Sequence, residues 1–159
     1  MTTKETLLQK FAAREATIGI IGMGYVGLPE AVAFAEEGFT VLGVDVDGRK
    51  VAMLNQGESY VEDVPDSQLR PLVTAGKLRA STDYHDLSQV DAIFICVPTP
   101  LRKTKDPDVS YIISATDSIM AAGGGAGKLV VLESTTYPGT TDELILPRLS
   151  ENGYQVGVD

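Results

Sequence analysis

Short runs of apolar residues alternate along the chain with segments in which apolar residues recur every three or four positions. The runs are rich in β-branched residues and are typical of buried parallel strands, whereas the spaced pattern is typical of amphipathic helices. The predicted strands are 17–21, 40–45, 78–81, 91–97, 128–133 and a sixth that begins within 154–158. The predicted helices are 4–13, 28–37, 48–55, 66–75, 109–122 and 140–151.

This alternation predicts an α/β protein with a doubly wound parallel sheet, helices on both faces and right-handed crossovers. The expected strand order is 3-2-1-4-5-6, and ligands bind beyond the carboxyl ends of the strands where this order reverses. Segment 58–66 is polar and is expected to be a loop. Asp66 or Ser67 is expected to cap the helix that follows this loop, and Thr140 or Thr141 to cap the last helix.

Three glycines spaced G-x-G-x-x-G interrupt the first strand at its carboxyl end and open a helix. Gly22 allows a tight turn, Gly24 lets a diphosphate approach the backbone, and Gly27 lets the helix pack closely on the strand. The amides of Gly24, Tyr25 and Val26 would face the phosphates at the positive end of a helix dipole. The glycine spacing by itself is weak evidence for dinucleotide binding, because glycine turns are common.

The second predicted strand ends on Asp45, and strand, glycine turn, helix and acid together make a unit of about 30 residues. This length and order are those of a Rossmann-type dinucleotide-binding unit. Asp45 would accept hydrogen bonds from the adenosine ribose, and its charge would repel a 2′-phosphate, so NAD is expected rather than NADP. The alternative is an α/β domain whose glycine turn and helix-capping aspartate bind nothing.

Polar side chains follow the fourth and fifth predicted strands at the same expected edge. Val97 and Thr99 lie in a proline-rich loop that passes close to the predicted cofactor site. Ser134 and Thr135 are expected to face the point where the strand order reverses, where they could contact cofactor or substrate. The alternative is that neither segment contacts a ligand. The proline-rich loop would then be only a rigid connection, and the hydroxyls after the fifth strand would only cap the helix that follows.

Composition narrows the class of partner. The formal net charge is −9, from 13 basic and 22 acidic residues, which argues against nucleic acid. No apolar run approaches a membrane span, no signal peptide precedes the first strand, and the single cysteine excludes a disulfide framework, so a cytoplasmic protein is expected. Cys96 is expected to be a buried structural thiol, His85 a solvated loop residue, and no metal site is predicted. The glycine run 123–127 is interpreted as a flexible turn.

With these motifs in view, the chain resembles the NAD-binding N-terminal domain of the UDP-glucose/GDP-mannose dehydrogenase family. The segments that carry the resemblance are 22–29 (GMGYVGLP), 44–47 (VDVD), 97–100 (VPTP) and 133–139 (ESTTYPG). Segments 60–65 (YVEDVP), 100–104 (PLRKT) and 106–108 (DPD) resemble the branch that acts on UDP-N-acetylated hexosamines, with UDP-N-acetylglucosamine as the expected substrate.

The resemblance implies a two-step oxidation of the C6 alcohol of a nucleotide sugar to a carboxylate with two NAD. Thr135 would help to order a catalytic water or the reacting oxygen, and the family's cysteine nucleophile lies in a later part of the chain. Residues 1–15 are expected to form an N-terminal helix and 16–159 the NAD-binding domain of a longer homo-oligomeric enzyme. The residues expected to contact NAD are Gly22, Gly24, Tyr25, Val26, Gly27, Asp45, Lys50, Val97, Thr99, Ser134 and Thr135.

Several functions remain open at this level. This piece is expected to bind NAD without turnover, because the central helix and the substrate domain of the family are not in it. UDP-glucose and UDP-N-acetylmannosamine are alternative substrates. A β-hydroxyacid or 6-phosphogluconate-type dehydrogenase shares the glycine turn, and a non-catalytic module that uses NAD only as a ligand belongs to a different class.

Overall fold

The computed structural model describes residues 2–158, and within them five parallel strands form one sheet. The strands are β1 (Thr17–Ile21), β2 (Thr40–Val44), β3 (Leu78–Ser81), β4 (Ala92–Ile95) and β5 (Leu129–Leu132), in the order β3-β2-β1-β4-β5. The order reverses between β1 and β4, because the chain winds outward from β1 to β3 and then crosses back. The predicted Rossmann-type α/β fold is therefore confirmed.

Helices follow the strands as the periodicity predicts. They are α1 (Thr3–Ala12), α2 (Gly27–Glu36), α3 (Gly48–Asn55), α4 (Asp66–Thr74), α5 (Ser110–Ala121) and α6 (Leu146–Glu151). A 3-10 helix, Tyr84–Gln89, and a π-helical turn, Thr141–Ile145, complete the described elements. The sequence pattern missed the 3-10 helix, and the π-helical turn stands where the last helix was expected to begin as an α-helix.

The two predictions of helix caps have different outcomes, and the prediction that Asp66 or Ser67 caps α4 is wrong. Pro65 occupies the N-cap position of α4 and provides no side-chain hydrogen bond, because Asp66 is already the first helical residue. The Asp66 carboxylate instead accepts from the amide of Ser59 (2.7 Å). Thr140 occupies the N-cap position of the π-helical turn, as predicted, but its side chain makes no capping bond, since its hydroxyl donates to the Tyr137 carbonyl (2.7 Å).

Strands β1, β2 and β4 are buried on both faces, as expected when helices cover each side, whereas the edge strand β5 has no buried residue. Alternate residues of β1 and β4 belong to two separate apolar clusters, in line with the two-residue period of a strand. Ile18 and Ile20 pack with residues of α2 and α4, whereas Ile93 and Ile95 pack with residues of α5 and the 3-10 helix. This packing fixes α2 against β1 and so positions the glycine turn between them.

Residues 154–158 do not form the sixth strand that the sequence pattern predicted. The segment consists of turns, and Gly157 adopts a φ of +89°, outside the β region. The apolar side chains Val156 and Val158 line a groove of about 500 Å³ beside β5 and α1. These residues lie beside the edge of the sheet without pairing with it, and their side chains stay more than half exposed.

The first helix is tied to the amino end of the sheet. The Asp91 carboxylate accepts hydrogen bonds from the Lys10 ammonium (2.5 Å) and from the Thr17 amide (2.8 Å). Phe11 also packs edge-on against Phe39, with 6.5 Å between ring centroids. None of the helices between residues 2 and 158 has the length and apolar character that a membrane span requires.

Candidate functional site

The carboxyl ends of four strands meet at one edge of the sheet. Ile21 is in register with Val44 and Ile95, and Ile95 is in register with Leu132. The glycine turn, Asp45, the 96–100 loop and the 133–139 loop therefore leave the sheet side by side. This is the topological reversal point at which doubly wound sheets bind ligands.

The three glycines of the turn are required by three different local geometries. Gly22 has a φ of +90°, and a Cβ there would lie 2.7 Å from the Cys96 carbonyl oxygen. A Cβ on Gly27 would lie 1.8 Å from the Gly22 carbonyl oxygen, so α2 packs directly on the turn. A Cβ on Gly24 would meet no atom within 4 Å. Protein contacts therefore explain two of the glycines, whereas the third faces open space.

The start of α2 offers backbone amides to that space. Val26 stands at the N-cap position without a side-chain hydrogen bond, where helices commonly carry Ser, Thr, Asp or Asn. Within residues 2–158, the amides of Gly24, Tyr25 and Val26 donate to no protein acceptor. Their side chains do not cover them, because Tyr25 is 79% exposed and Val26 is 56% exposed. Such a terminus is suited to an anionic group.

Asp45 is part of the folded frame of the turn. One of its carboxylate oxygens accepts from the Met23 amide and the other from the Asp47 amide, both at 2.8 Å. Lys50 lies next to it, with its ammonium 3.9 Å from the Asp45 carboxylate. A carboxylate offers about four acceptor positions, so these two bonds leave capacity for ribose hydroxyls. The predicted contacts of Asp45 and Lys50 with NAD stay predictions.

Two residues that the sequence did not single out also hold the turn. Met23 is 1% exposed, and its carbonyl accepts from the Tyr60 hydroxyl (2.6 Å). Tyr60 belongs to the loop between α3 and α4, and its ring lies 5.8 Å from the Lys50 ammonium. The only signal in the sequence was the position of Tyr60 at the start of the segment 60–65. No local pattern predicts a contact across 37 residues.

The hydroxyls on the β4 and β5 loops make bonds with one another's backbone. The Thr99 hydroxyl donates to the Thr135 carbonyl. Ser134 donates to the Val97 carbonyl (2.8 Å) and approaches the Ile95 carbonyl (3.2 Å). The Ser134 hydroxyl donates its proton to these carbonyls and keeps only its acceptor lone pairs for a ligand, and its predicted contact with cofactor or substrate stays a prediction.

Thr135 differs from its neighbours. Its side chain is exposed, and within the described residues its hydroxyl makes no protein hydrogen bond. Its hydroxyl therefore remains available to a bound molecule. Its assignment as a catalytic residue remains a prediction.

Cys96 is a buried thiol, as expected. It is 8% exposed, and its sulfur donates to the Glu30 carboxylate (3.2 Å) on the first turn of α2. Burial raises the pKa of the Cys96 thiol, and the bond to Glu30 and the charges of Glu30 and Glu133 raise it further. A thiol held in its protonated form is a poor nucleophile.

The remaining candidate features lie outside this site. His85 is exposed and contacts Asp83, but it belongs to the 3-10 helix, so the expected loop is corrected to a helical turn. The glycine run 123–127 is a turn before β5. Across residues 2–158, no three His, Cys, Asp or Glu side chains lie together as metal ligands would.

Comparison with known proteins places these features in a family. Residues 16–159 match the model of the UDP-glucose/GDP-mannose dehydrogenase family, NAD binding domain. The chain is 38% identical over 145 residues to a UDP-N-acetyl-D-mannosamine dehydrogenase of Pyrococcus horikoshii, covering 89% of this chain and 34% of that protein. It is 43% identical over 131 residues to the UDP-N-acetyl-D-mannosamine dehydrogenase of Escherichia coli K12, covering 81% and 30%.

The fold of the chain is also similar to that of a solved dehydrogenase structure. The crystal structure of an NDP-N-acetyl-D-galactosaminuronic acid dehydrogenase from Methanosarcina mazei Go1 superposes with a TM-score of 0.86 at 36% identity. The match covers 100% of this chain and 36% of that one. The chain therefore spans about a third of the length of the relatives it matches.

Proposed function

Since the chain belongs to the UDP-glucose/GDP-mannose dehydrogenase family and matches its NAD-binding domain, we propose that its glycine turn and Asp45 hold NAD for the oxidation of a nucleotide sugar. The observation that carries the proposal is the open space at Gly24 together with three adjacent amides that, within residues 2–158, donate to no protein acceptor. A diphosphate has the size and charge to fill such a place.

The parts of NAD can be assigned to residues by their chemistry. The amides of Gly24, Tyr25 and Val26 would bind the diphosphate, and Asp45 would accept from the adenosine ribose with Lys50 beside it. Gly22, Gly27 and Val97 would shape the backbone around the cofactor. Thr99 would contribute through the loop that its hydroxyl ties to Thr135, and Ser134 would fix the end of β4. NAD, when bound, supplies the hydride acceptor.

The substrate class follows from the family and remains a proposal. The relatives described above are named for N-acetylated sugars, and two of them for UDP-N-acetyl-D-mannosamine. The expectation of UDP-N-acetylglucosamine therefore gives way to its epimer as the first candidate, with UDP-glucose as an alternative. Thr135 would help to order a water or the reacting oxygen near the nicotinamide, because its hydroxyl is exposed and unpaired among the described residues.

This chain alone is proposed to bind NAD without turning over substrate. Cys96 does not offer the thiolate that a covalent aldehyde intermediate requires, because burial and Glu30 keep its pKa high. The nucleophile and the substrate-binding groups would come from the part of the relatives that this chain does not span. A non-catalytic module that uses NAD only as a ligand is the competing function.

Titration calorimetry of the 159-residue chain tests cofactor binding directly. NAD and ADP-ribose should both bind, and NADP should bind at least about tenfold more weakly because Asp45 repels its 2′-phosphate. Equal affinity for NAD and NADP would refute the role of Asp45, and no binding of NAD would refute the proposal.

Activity is tested on the natural polypeptide that carries this chain. Incubation with NAD and each of UDP-N-acetylmannosamine, UDP-N-acetylglucosamine and UDP-glucose should give NADH with one sugar preferred. NADH production by the 159-residue chain alone would show that the missing groups are not needed. Binding of NAD without oxidation of any nucleotide sugar by the natural polypeptide would favour the non-catalytic module.

A further inference from the structure

Met23, the central residue of the first G-x-G, is held by protein contacts at its amide, its carbonyl and its side chain. Its amide donates to Asp45 (2.8 Å), and its carbonyl accepts from Tyr60 (2.6 Å). A Cβ on Gly43 would lie 2.6 Å from the Met23 sulfur, so the side chain is packed tightly on β2. The peptide groups on both sides of Met23 are thereby fixed, and Gly24 follows directly.

Tyr60 is itself rigidly placed. It follows Ser59, whose amide donates to the Asp66 carboxylate (2.7 Å), and it precedes Val61, which is 5% exposed. A tyrosine hydroxyl is protonated at neutral pH and can donate, and burial of Tyr60, with the charges of Asp45 and Asp47, raises the pKa of its phenol further. Within residues 2–158, no other group donates to the Met23 carbonyl.

We propose that Tyr60 is a positioning residue for the cofactor: its hydroxyl holds the glycine turn in the conformation that presents the amides of Gly24, Tyr25 and Val26 to a diphosphate. The inference rests on the proposed NAD site and adds a residue outside the glycine motif to it. Without the hydroxyl, the buried Met23 carbonyl loses its donor, and the turn is free to rotate toward water or another donor. A smaller competent fraction of the free protein lowers the apparent affinity in proportion.

Tyr60→Phe removes the hydroxyl and keeps the ring beside Lys50 and the apolar core. We expect the Kd for NAD to rise about three- to tenfold, which is the range that the loss of one neutral hydrogen bond gives. ADP-ribose should lose affinity by the same factor, because the turn contacts the diphosphate that both ligands share. Titrations are made at a temperature where circular dichroism shows both proteins fully folded.

Tyr154→Phe is the matched control, since Tyr154 lies against Gly125 at the far edge of the sheet. Its Kd for NAD should equal that of the wild type. Amide exchange measured by NMR on the free proteins gives a second readout: exchange at Met23, whose amide donates to Asp45, should accelerate in Tyr60→Phe and not in Tyr154→Phe. A merely structural Tyr60 would lower the melting temperature and leave the affinity and this local exchange unchanged.

The outcomes separate this inference from the proposed function. Unchanged Kd values for NAD and ADP-ribose in Tyr60→Phe, with a wild type that binds NAD, would overturn the inference alone. If Tyr60→Phe lost affinity for NAD but not for ADP-ribose, the inference would also be overturned, because the effect would then lie at the nicotinamide and not at the diphosphate. If the wild type binds neither ligand, the proposed function fails, and the exchange rates at Met23 then decide whether Tyr60 holds the turn.

Discussion

Gly27 lies so close to Gly22 that a Cβ on residue 27 would stand 1.8 Å from the Gly22 carbonyl oxygen. The contact joins the first residue of α2 to the first residue of the turn that follows β1. Because the carbonyl oxygen belongs to the backbone and the backbone fixes the position of a Cβ, no side-chain rotation can relieve the contact. Gly24, between them in sequence, would tolerate a Cβ without any protein contact within 4 Å.

Gly27→Ala should therefore destabilise the fold, whereas Gly24→Ala should not. We expect Gly27→Ala to cost about 3 kcal/mol or more, since overpacking against backbone forces α2 away from the sheet. Gly24→Ala should change the free energy of unfolding by no more than about 0.5 kcal/mol. Urea denaturation followed by circular dichroism measures both.

The substitutions Gly27→Ala and Gly24→Ala also separate the role of the glycines in folding from their role in cofactor binding. Gly24→Ala should weaken NAD binding at least about tenfold in calorimetry, because the new methyl group occupies the space assigned to the diphosphate. A Gly24→Ala protein that is stable and binds NAD like the wild type would show that the diphosphate lies elsewhere.

The sequence predicted these local features because they depend on short-range rules. The strands are short apolar runs rich in β-branched residues, and the turn needs glycine where φ is positive or where backbones approach. The placement of Asp45 directly after β2 follows from the same dinucleotide-binding unit. All of these are encoded within about 30 residues of continuous sequence.

The features that the sequence could not predict depend on long-range contacts. Tyr60 reaches Met23 from a loop whose path is set by α3 and α4. The Ser134 hydroxyl donates to carbonyls at the end of β4, a contact between two loops that no local pattern predicts. Val156 was expected in a strand, yet the conformation of Gly157 and an apolar groove hold it beside the sheet.

Asp45→Ala should weaken both the fold and NAD binding. NAD affinity should fall by about 1.5–3 kcal/mol, as for the loss of hydrogen bonds to a charged group. Stability should fall by about 1–3 kcal/mol as well, since the amides of Met23 and Asp47 lose their acceptor. Calorimetry and urea denaturation measure the two effects. NADP should lose less affinity than NAD, because the repulsive charge is removed.

Asp117→Ala provides the control for Asp45→Ala. Asp117 is an exposed carboxylate on α5 that pairs with Arg148 at the surface. Its removal should leave NAD affinity unchanged and alter stability by less than about 1 kcal/mol. An Asp45→Ala protein with wild-type affinity for NAD would reject the predicted ribose contact.

Glu30 should make part of the stability depend on pH. Burial raises the pKa of Glu30, the bond from Cys96 lowers it in part, and the charge of Glu133 raises it. The folded state therefore binds the proton more tightly than the unfolded chain, in which the pKa is near 4.5. From about that pH up to the raised folded value, stability falls as pH rises, and below the unfolded value this penalty is absent.

Glu30→Gln removes the titrating group, so the melting temperature of the variant relative to the wild type should rise through this pH window. The exposed Glu62→Gln is the control and should show no such trend. The melting temperature of the variant is compared with that of the wild type at each pH for one reason. The lowered pKa values of Asp47, Asp83 and Asp108 make stability rise with pH, and this opposite trend is the same in all the proteins. A difference that does not change with pH would contradict the assigned role of Glu30.

Asp91 should contribute more to stability than the ion pair in which it takes part. Its carboxylate accepts from the Thr17 amide as well as from the Lys10 ammonium, and its side chain is only 15% exposed, against 43% for Lys10. Asp91→Ala leaves that amide without its acceptor and should cost about 1–3 kcal/mol. Lys10→Met removes only the half-exposed ion pair and should cost less than about 1 kcal/mol. Urea denaturation measures the loss of stability in each variant, provided that the dependence on urea has the same slope as in the wild type. Equal losses in Asp91→Ala and Lys10→Met would mean that the contact with α1, not the amide at the start of β1, accounts for the stabilisation.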